Sequence, residues 1–347
     1  MRTAWLSAPG TMGVREVPEP RPADPGDAIV DIAYAGICGS DLWSFRGLVP
    51  HGEGGIGHEF LGTVREVGSG VTGVRPGDAV IAPFLFAEGD CAECRRGLQP
   101  LCARAGIWGK DWAGAQAQRI RVPYADATLV PLPYGAGELD DELARRLIPL
   151  CDVFATGTHG VTLAGVEPGD LVAVIGDGAV GISAAMAARR AGAAEVLLLG
   201  EQPRRLKVAE AAGAATLHVS RDEEDVAERV RDALGGRSPQ RVVECVGMQA
   251  AFDTALAVAG PAASVGFVGV PHGVREIAPM RLFGKQLRLA GGVAPARHYL
   301  PGLIEDVAAG RLDPSPLVDL VLDLDDVADG YAAMDGGTAL KALLRTA

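Results

Sequence analysis

Positive charge is in short supply. Lys and Arg total 32 against 44 Asp and Glu, a net charge of −12. A surface of that sign does not gather a phosphate backbone, so a nucleic-acid partner is excluded. Long apolar runs are missing too, since none approaches the ~20 residues of a membrane span. The opening MRTAWLSAPG has no extended hydrophobic stretch of the kind a secretory signal needs. Neither membrane insertion nor export is expected. Cysteine is sparse at six in 347 residues, and three of the six crowd into residues 91–102. Such usage does not build a disulfide scaffold and suits reduced thiols in a cytoplasm.

Glycine, in contrast, is plentiful at 47 residues, about twice the ~7% average, which predicts many tight turns and close backbone approaches. The length is too great for one ordinary core and suits two domains. Residues 1–135 read as short strands cut by Pro and Gly, as in DAIVDIAYAG (27–36), FLGTVREVG (60–68), GDAVIAPF (77–84) and QRIRVPYADATLVPLP (118–133). A helical run, ELDDELARRLIPL, follows. From Asp170 the chain alternates buried strands such as LVAVIG, EVLLLG and RVVECVG with amphipathic helices. That rhythm predicts an α/β domain with a doubly wound parallel sheet. After Ala294 two helices and a closing strand, TALKALLRTA, are expected.

Two motifs carry chemistry on their own spacing. Gly176-Asp-Gly178-Ala-Val-Gly181 lies directly after a strand and opens a helix. There the glycines give a tight turn, a close approach to a pyrophosphate and helix–strand packing, while the helix N-terminus favours the anion. Cys91, Cys94 and Cys102 have the spacing of a metal knuckle, but a closed zinc site wants a fourth ligand. Taken singly, His58 reads as a core imidazole, Cys38 as a small buried residue and Asp152 as a helix cap.

Together, three segments resemble the zinc-dependent medium-chain alcohol dehydrogenases, over essentially the whole chain. The G-H-E-x2-G-x5-G-x2-V signature is met by Gly57, His58, Glu59, Gly62, Gly68 and Val71. C-G-S-D is met by Cys38, Gly39, Ser40 and Asp41, and D-x3-T-G-x-H-G by Asp152, Thr156, Gly157, His159 and Gly160. The resemblance implies a GroES-like, mainly-β catalytic domain over 1–153, with a zinc lobe at 86–105. A Rossmann domain then spans 154–295, and 296–347 return to the catalytic domain. It implies a catalytic zinc on Cys38, His58 and Asp152, with Glu59 adjacent or transient, and a position left open for substrate oxygen. Asp41 is expected to fix the tautomer of His58, and Ser40 to bond the substrate oxygen. A second, structural zinc is implied on Cys91, Cys94 and Cys102, with Glu88 standing where the family's first cysteine falls. Asp90 is a rival at the wrong spacing.

The implied reaction interconverts an alcohol and its ketone or aldehyde by hydride transfer to or from a nicotinamide cofactor. Cofactor contacts are expected at Gly176, Gly178, Ala179, Val180, Gly181, Gly200, Glu201, Arg204, Arg205, Val246, Val268 and Lys341. NADP(H) is favoured over NAD(H). Gly200 stands at the strand end where an NAD enzyme carries an acid, leaving room for a 2′-phosphate that Arg204 and Arg205 would pair with. Glu201 argues the other way. Where many relatives carry a relay histidine, this chain has Leu42, Trp43, Ser44 and Phe45, so the relay ends in water or at His51. Trp43, Phe84, Phe86 and Trp108 are expected to wall an apolar pocket. The remaining histidines, His159, His218, His272 and His298, read as structural or solvated. A polyol or sugar substrate is the runner-up and would want more hydrogen-bonding groups. A non-catalytic zinc and dinucleotide binder is the reading from another class, and a zinc-independent quinone reductase would lack Cys38 and the cysteine lobe. The apolar strand KQLRLAGGVA (285–294) is expected at a subunit interface of a homodimer or homotetramer.

Overall fold

The computed structural model describes residues 1–346 except 221, 222 and 224. The chain separates into two compact units, residues 1–155 with 295 onward, and residues 156–294.

The first unit is organised by one long strand, Ala28–Ile37, whose sequence AIVDIAYAGI is buried almost throughout. Strands Glu59–Val67, Arg119–Val122 and Ala342–Arg345 all pair with it in antiparallel fashion. Asp78–Ala82 and Val130–Gly135 extend the sheet beyond Glu59–Val67. On the other side Leu320–Asp323 runs parallel to Ala342–Arg345, an edge strand too short to be legible in advance. Register matters more than strand count here. Gly36 faces Glu59 and Ile37 faces Ala342, so Cys38, Glu59 and Lys341 meet at one end of three adjacent strands. Position 36 must be glycine, since a Cβ there would fall 1.9 Å from a Glu59 carboxylate oxygen. Beneath the sheet, Val30, Ile32, Phe60, Val80, Trp108 and Ile120 form one apolar cluster.

The stretch 118–133 is not one extended segment. Tyr124 adopts a left-handed conformation (φ 50°) and the helical turn Ala125–Thr128 interrupts it. The Asp126 carboxylate accepts the backbone N–H groups of Thr72 (3.0 Å) and Gly73 (2.9 Å), which local hydrogen bonding favours over strand continuation. The helix Asp141–Cys151 is started by Asp140, whose side chain accepts the N–H of Leu143. It ends at Asp152, and the helix Val153–Ala164 follows.

The second unit holds six parallel strands in the order Ala215–His218, Glu195–Gly200, Leu171–Ile175, Arg241–Glu244, Ser264–Phe267 and Arg288–Gly291. Every residue of the central LVAVI strand is buried, as a strand covered on both faces requires. The edge strand is shorter than 285–294 because Pro279–Lys285 folds as a helix. Among the described residues no single helix is long and apolar enough to cross a membrane.

Candidate active site

Four side chains converge at the end of the first unit's sheet. Cys38 follows Ala28–Ile37, His58 and Glu59 begin Glu59–Val67, and Asp152 follows Asp141–Cys151. Their bonding atoms lie within 4.8 Å of one another. Asp152 Oδ2 is 3.2 Å from Cys38 Sγ and 3.1 Å from His58 Nε2. Behind the ring, Asp41 Oδ1 stands 3.1 Å from His58 Nδ1. A carboxylate on Nδ1 makes that nitrogen the donor, so Nε2 offers its lone pair to the cluster. Asp41 is itself fixed, because its Oδ2 accepts from the Cys38 backbone (2.9 Å) and the Gln116 amide (3.3 Å). The Tyr331 hydroxyl donates to Gln116 in turn, at 3.0 Å.

Protonation follows from this crowding. Burial pushes the Cys38 thiol up, and the charge of Asp152 adds to the effect. Burial works against a charged His58, but Asp41 and Asp152 outweigh it and hold the imidazole well above its ordinary value. A divalent cation displaces such protons when it binds. Glu59 completes the set differently. Its Oε2 accepts from the Lys341 ammonium, while its Oε1 is buried with no hydrogen-bond partner. Thiol, imidazole and carboxylate beside an orphaned carboxylate oxygen fit zinc.

A second cluster lies in the 86–105 lobe. Cys91, Cys94 and Cys102 bring their sulfurs within 4.8 Å of one another. Burial and the neighbouring thiols push Cys94 up to about 12, so three thiols packed this closely fit a metal better than they fit one another. Glu88 borders the group, with Oε1 3.8 Å from Cys102 Sγ and Oε2 3.0 Å from an Arg104 nitrogen. If this lobe holds zinc, Glu88→Ala is expected to lower the zinc content per chain and to lower Tm, with kcat/KM little changed. Unchanged zinc content and Tm would assign the fourth ligand to another group.

Several expected site residues lie elsewhere in function. Trp108 is 1% exposed, donates its indole N–H to the Pro83 carbonyl at 2.8 Å and packs against Phe60 and Phe86. Trp108 and Phe86 are therefore core residues rather than pocket walls, and the buried indole N–H has its partner there. Phe84 stays beside the cluster, edge-on to His58 at 6.4 Å, and Trp43 is partly exposed on the short helix Asp41–Phe45. His51 faces backbone carbonyls with both nitrogens, Gly52 at 2.5 Å and Gly109 at 2.8 Å, which leaves none for a relay. Ser40 Oγ is 3.4 Å from His58 Nε2. Lys341, expected at the cofactor, is 1% exposed and spends its ammonium on Glu59 and the Ile37 carbonyl. A carboxylate buried this deeply requires a counter-ion.

In the second unit Gly176 has φ +113°, and a Cβ on Gly181 would meet the Gly176 carbonyl oxygen at 1.9 Å. Ala179 and Val180, both partly exposed, open the helix Ala179–Arg190, whose N-cap Gly178 supplies no side chain. Its first amides thus lack a side-chain acceptor, which suits a pyrophosphate. Val246 and Val268 follow the carboxyl ends of two neighbouring strands. The space over Gly200 is not vacant. A Cβ there would lie 2.4 Å from the Cβ of Asp177, a residue the glycine pattern treats as a spacer.

Residues 24–134 match the family model of the alcohol dehydrogenase GroES-like domain, and residues 179–309 that of zinc-binding dehydrogenases. A zinc-type alcohol dehydrogenase B of Aspergillus flavus is 31% identical over 99% of this chain and 81% of its own. The chain belongs to the zinc-dependent medium-chain alcohol dehydrogenase family. Among solved members, alcohol dehydrogenase TADH from Thermus sp. ATN1 superposes with a TM-score of 0.91 at 35% identity, covering all of both chains. A zinc-binding dehydrogenase of Sinorhizobium meliloti 1021, bound to NADP, superposes at 0.85 with 28% identity, over 99% of this chain and 98% of its own. Within this family fold, sequence reasoning missed Gln116, Tyr331 and Asp177, and it placed Lys341 at the cofactor, whereas its ammonium pairs with Glu59. Only Asp177 left a signal, an acid inside the glycine loop.

Proposed function

We propose that this dehydrogenase interconverts a small alcohol and its aldehyde or ketone, using a nicotinamide dinucleotide and two zinc ions per chain. The observation that carries it is the meeting of Cys38, His58 and Asp152 within 4.8 Å, with Asp41 holding Nδ1 of the imidazole. Zinc held there supplies Lewis acidity to a substrate oxygen. A dinucleotide held at the Gly176–Gly181 loop would supply the hydride chemistry. The chain's own residues do the rest. Cys38, His58 and Asp152 supply the donors, Glu59 stands by at the buried end, and Ser40 brings a hydroxyl to the imidazole edge where it can bond an alcohol or carbonyl oxygen. With Phe86 and Trp108 in the core, Phe84 and Trp43 remain as apolar neighbours for the substrate.

Protein purified without added zinc should carry two ions per chain and oxidise or reduce members of an alcohol and carbonyl panel, read as nicotinamide absorbance. Zinc and dinucleotide bound without turnover of any member would favour the non-catalytic reading. Six cysteines without a disulfide support a reducing, cytoplasmic setting.

A homo-oligomer is part of the same proposal. Arg288–Gly291 is a bare sheet edge, and beside it Met280 and Phe283 are 72% and 78% exposed. An edge and an apolar patch together invite a second copy. Phe283→Asp is expected to lower the mass seen by light scattering, from that of a dimer or tetramer toward that of a monomer. A wild-type monomer, or an assembly the substitution leaves intact, would sink this surface.

A further inference from the structure

The loop between Gly176 and Gly178 carries an acid whose side chain reaches across to the neighbouring strand end. Asp177 is 8% exposed. Its Oδ2 accepts the backbone N–H groups of Glu201 at 2.9 Å and Gln202 at 2.7 Å. Its Oδ1 lies 3.7 Å from a guanidinium nitrogen of Arg205. The two amides lie just ahead of the helix Pro203–Ala211, whose N-cap is Gln202, so the carboxylate sits near a helix N-terminus, where anions are favoured. Two N–H donors, a helix end and a guanidinium make an anion cradle. The protein fills it with its own carboxylate.

This location is the one that decides between dinucleotides. In a doubly wound sheet the pyrophosphate lies at the first glycine loop, and the adenosine ribose at the end of the second strand. Here the second strand ends at Gly200, which offers no carboxylate of its own. We infer that Asp177 takes over the role of the missing strand-end acid and makes the enzyme selective for NAD(H) over NADP(H). A 2′-phosphate would need the donors that Asp177 already holds, and would meet a negative charge at their centre. A ribose 2′-hydroxyl can instead donate to the carboxylate. Gly200 and Asp177 are then a matched exchange: any side chain at 200 would collide with the acid at 177. Arg205 balances that acid instead of advertising for a phosphate.

The inference rests on the proposal that the chain binds a nicotinamide dinucleotide, and binding alone tests it. Dissociation constants for NADH and NADPH, from nicotinamide fluorescence or calorimetry, are compared in wild type, Asp177→Ser and Asp177→Asn. Wild type is expected to hold NADH at least tenfold more tightly. Asp177→Ser frees the cradle, so the preference should move toward NADPH by tenfold or more. Asp177→Asn keeps the shape and removes the charge, so it should move the same way by less while Tm stays near wild type. A wild type that prefers NADPH overturns the inference. So does an equal loss of both dinucleotides in the two variants, the pattern expected if Asp177 only braces the loop. If wild type binds neither dinucleotide, the proposed function falls, and this inference with it.

Discussion

Cys38→Ala is expected to fold, to lose the zinc proposed for its cluster and to turn over alcohols at least about a thousandfold more slowly. The folding half follows from where the thiol sits. Cys38 follows a strand held by three partners, and its sulfur lies within 4.8 Å of the other donors. Removing it leaves His58 paired with Asp41 and Asp152 at 3.1 Å each, so no buried charge is stranded. The kinetic half follows from the Lewis acid that the set is proposed to hold. Loss of several kcal/mol of transition-state stabilisation, at ~1.4 kcal/mol per factor of ten, amounts to about three orders of magnitude. His58→Ala should match it in rate but fold less well, because two buried carboxylates then lose their shared partner. The measurements are metal content, circular dichroism and kcat/KM on one preparation. Ordinary turnover by Cys38→Ala would remove this cluster from the chemistry.

Lys341→Met is expected to be the most destabilising single change in the first unit. Glu59 is 0% and Lys341 1% exposed, and they are joined by a direct ion pair. Breaking a buried pair from one side costs ~3–5 kcal/mol, since the remaining charge is uncompensated. Burial already raises the pKa of Glu59, and Lys341 works against that. Without the lysine, the folded-state value rises further above the ~4.3 of an unfolded glutamate. A raised folded-state value means that the folded protein holds the proton more tightly. The deficit should therefore be small near pH 4 and grow as pH rises. Pairing the change with Glu59→Gln should restore most of the loss, because neither partner is then left charged. Urea unfolding at acid and neutral pH reads both effects. A deficit that is absent, or that does not change with pH, would show that the pair carries no net weight.

These two expectations divide along the line between what the sequence displayed and what it hid. The residues of the Cys38 cluster were legible because each lies in a compact local pattern. His58 and Glu59 are adjacent, Asp41 is three residues from Cys38, and Asp152 leads the Thr-Gly-x-His-Gly run. Chemistry that must be set by neighbouring backbone leaves its mark in neighbouring letters. Lys341 meets Glu59 across 282 residues, and Tyr331 meets Gln116 across 215. Only strand register brings those together, and no short window contains it. The aromatics failed for a related reason. Trp108 and a pocket-lining tryptophan look alike in sequence, and the Pro83 carbonyl that decides between them is 25 residues away. At Gly200 an absent side chain reads as space, whereas atoms of Asp177, from another loop, lie there.

Pairing of residue 37 with residue 342 also sets a timetable for biosynthesis. The unit spanning 156–294 is one unbroken stretch of chain, so it can close its sheet while the ribosome is still working. The other unit cannot. Lys341 is made 304 residues after Ile37, an interval of ~15–60 s at ~5–20 residues per second. Throughout that time the Tyr34–Ile37 end of the strand lacks its partner on one flank and Glu59 has no counter-ion. A nascent chain in this condition is a natural client for chaperones, and zinc delivered to Cys38 before the last strand docks meets a sheet still missing one of its walls.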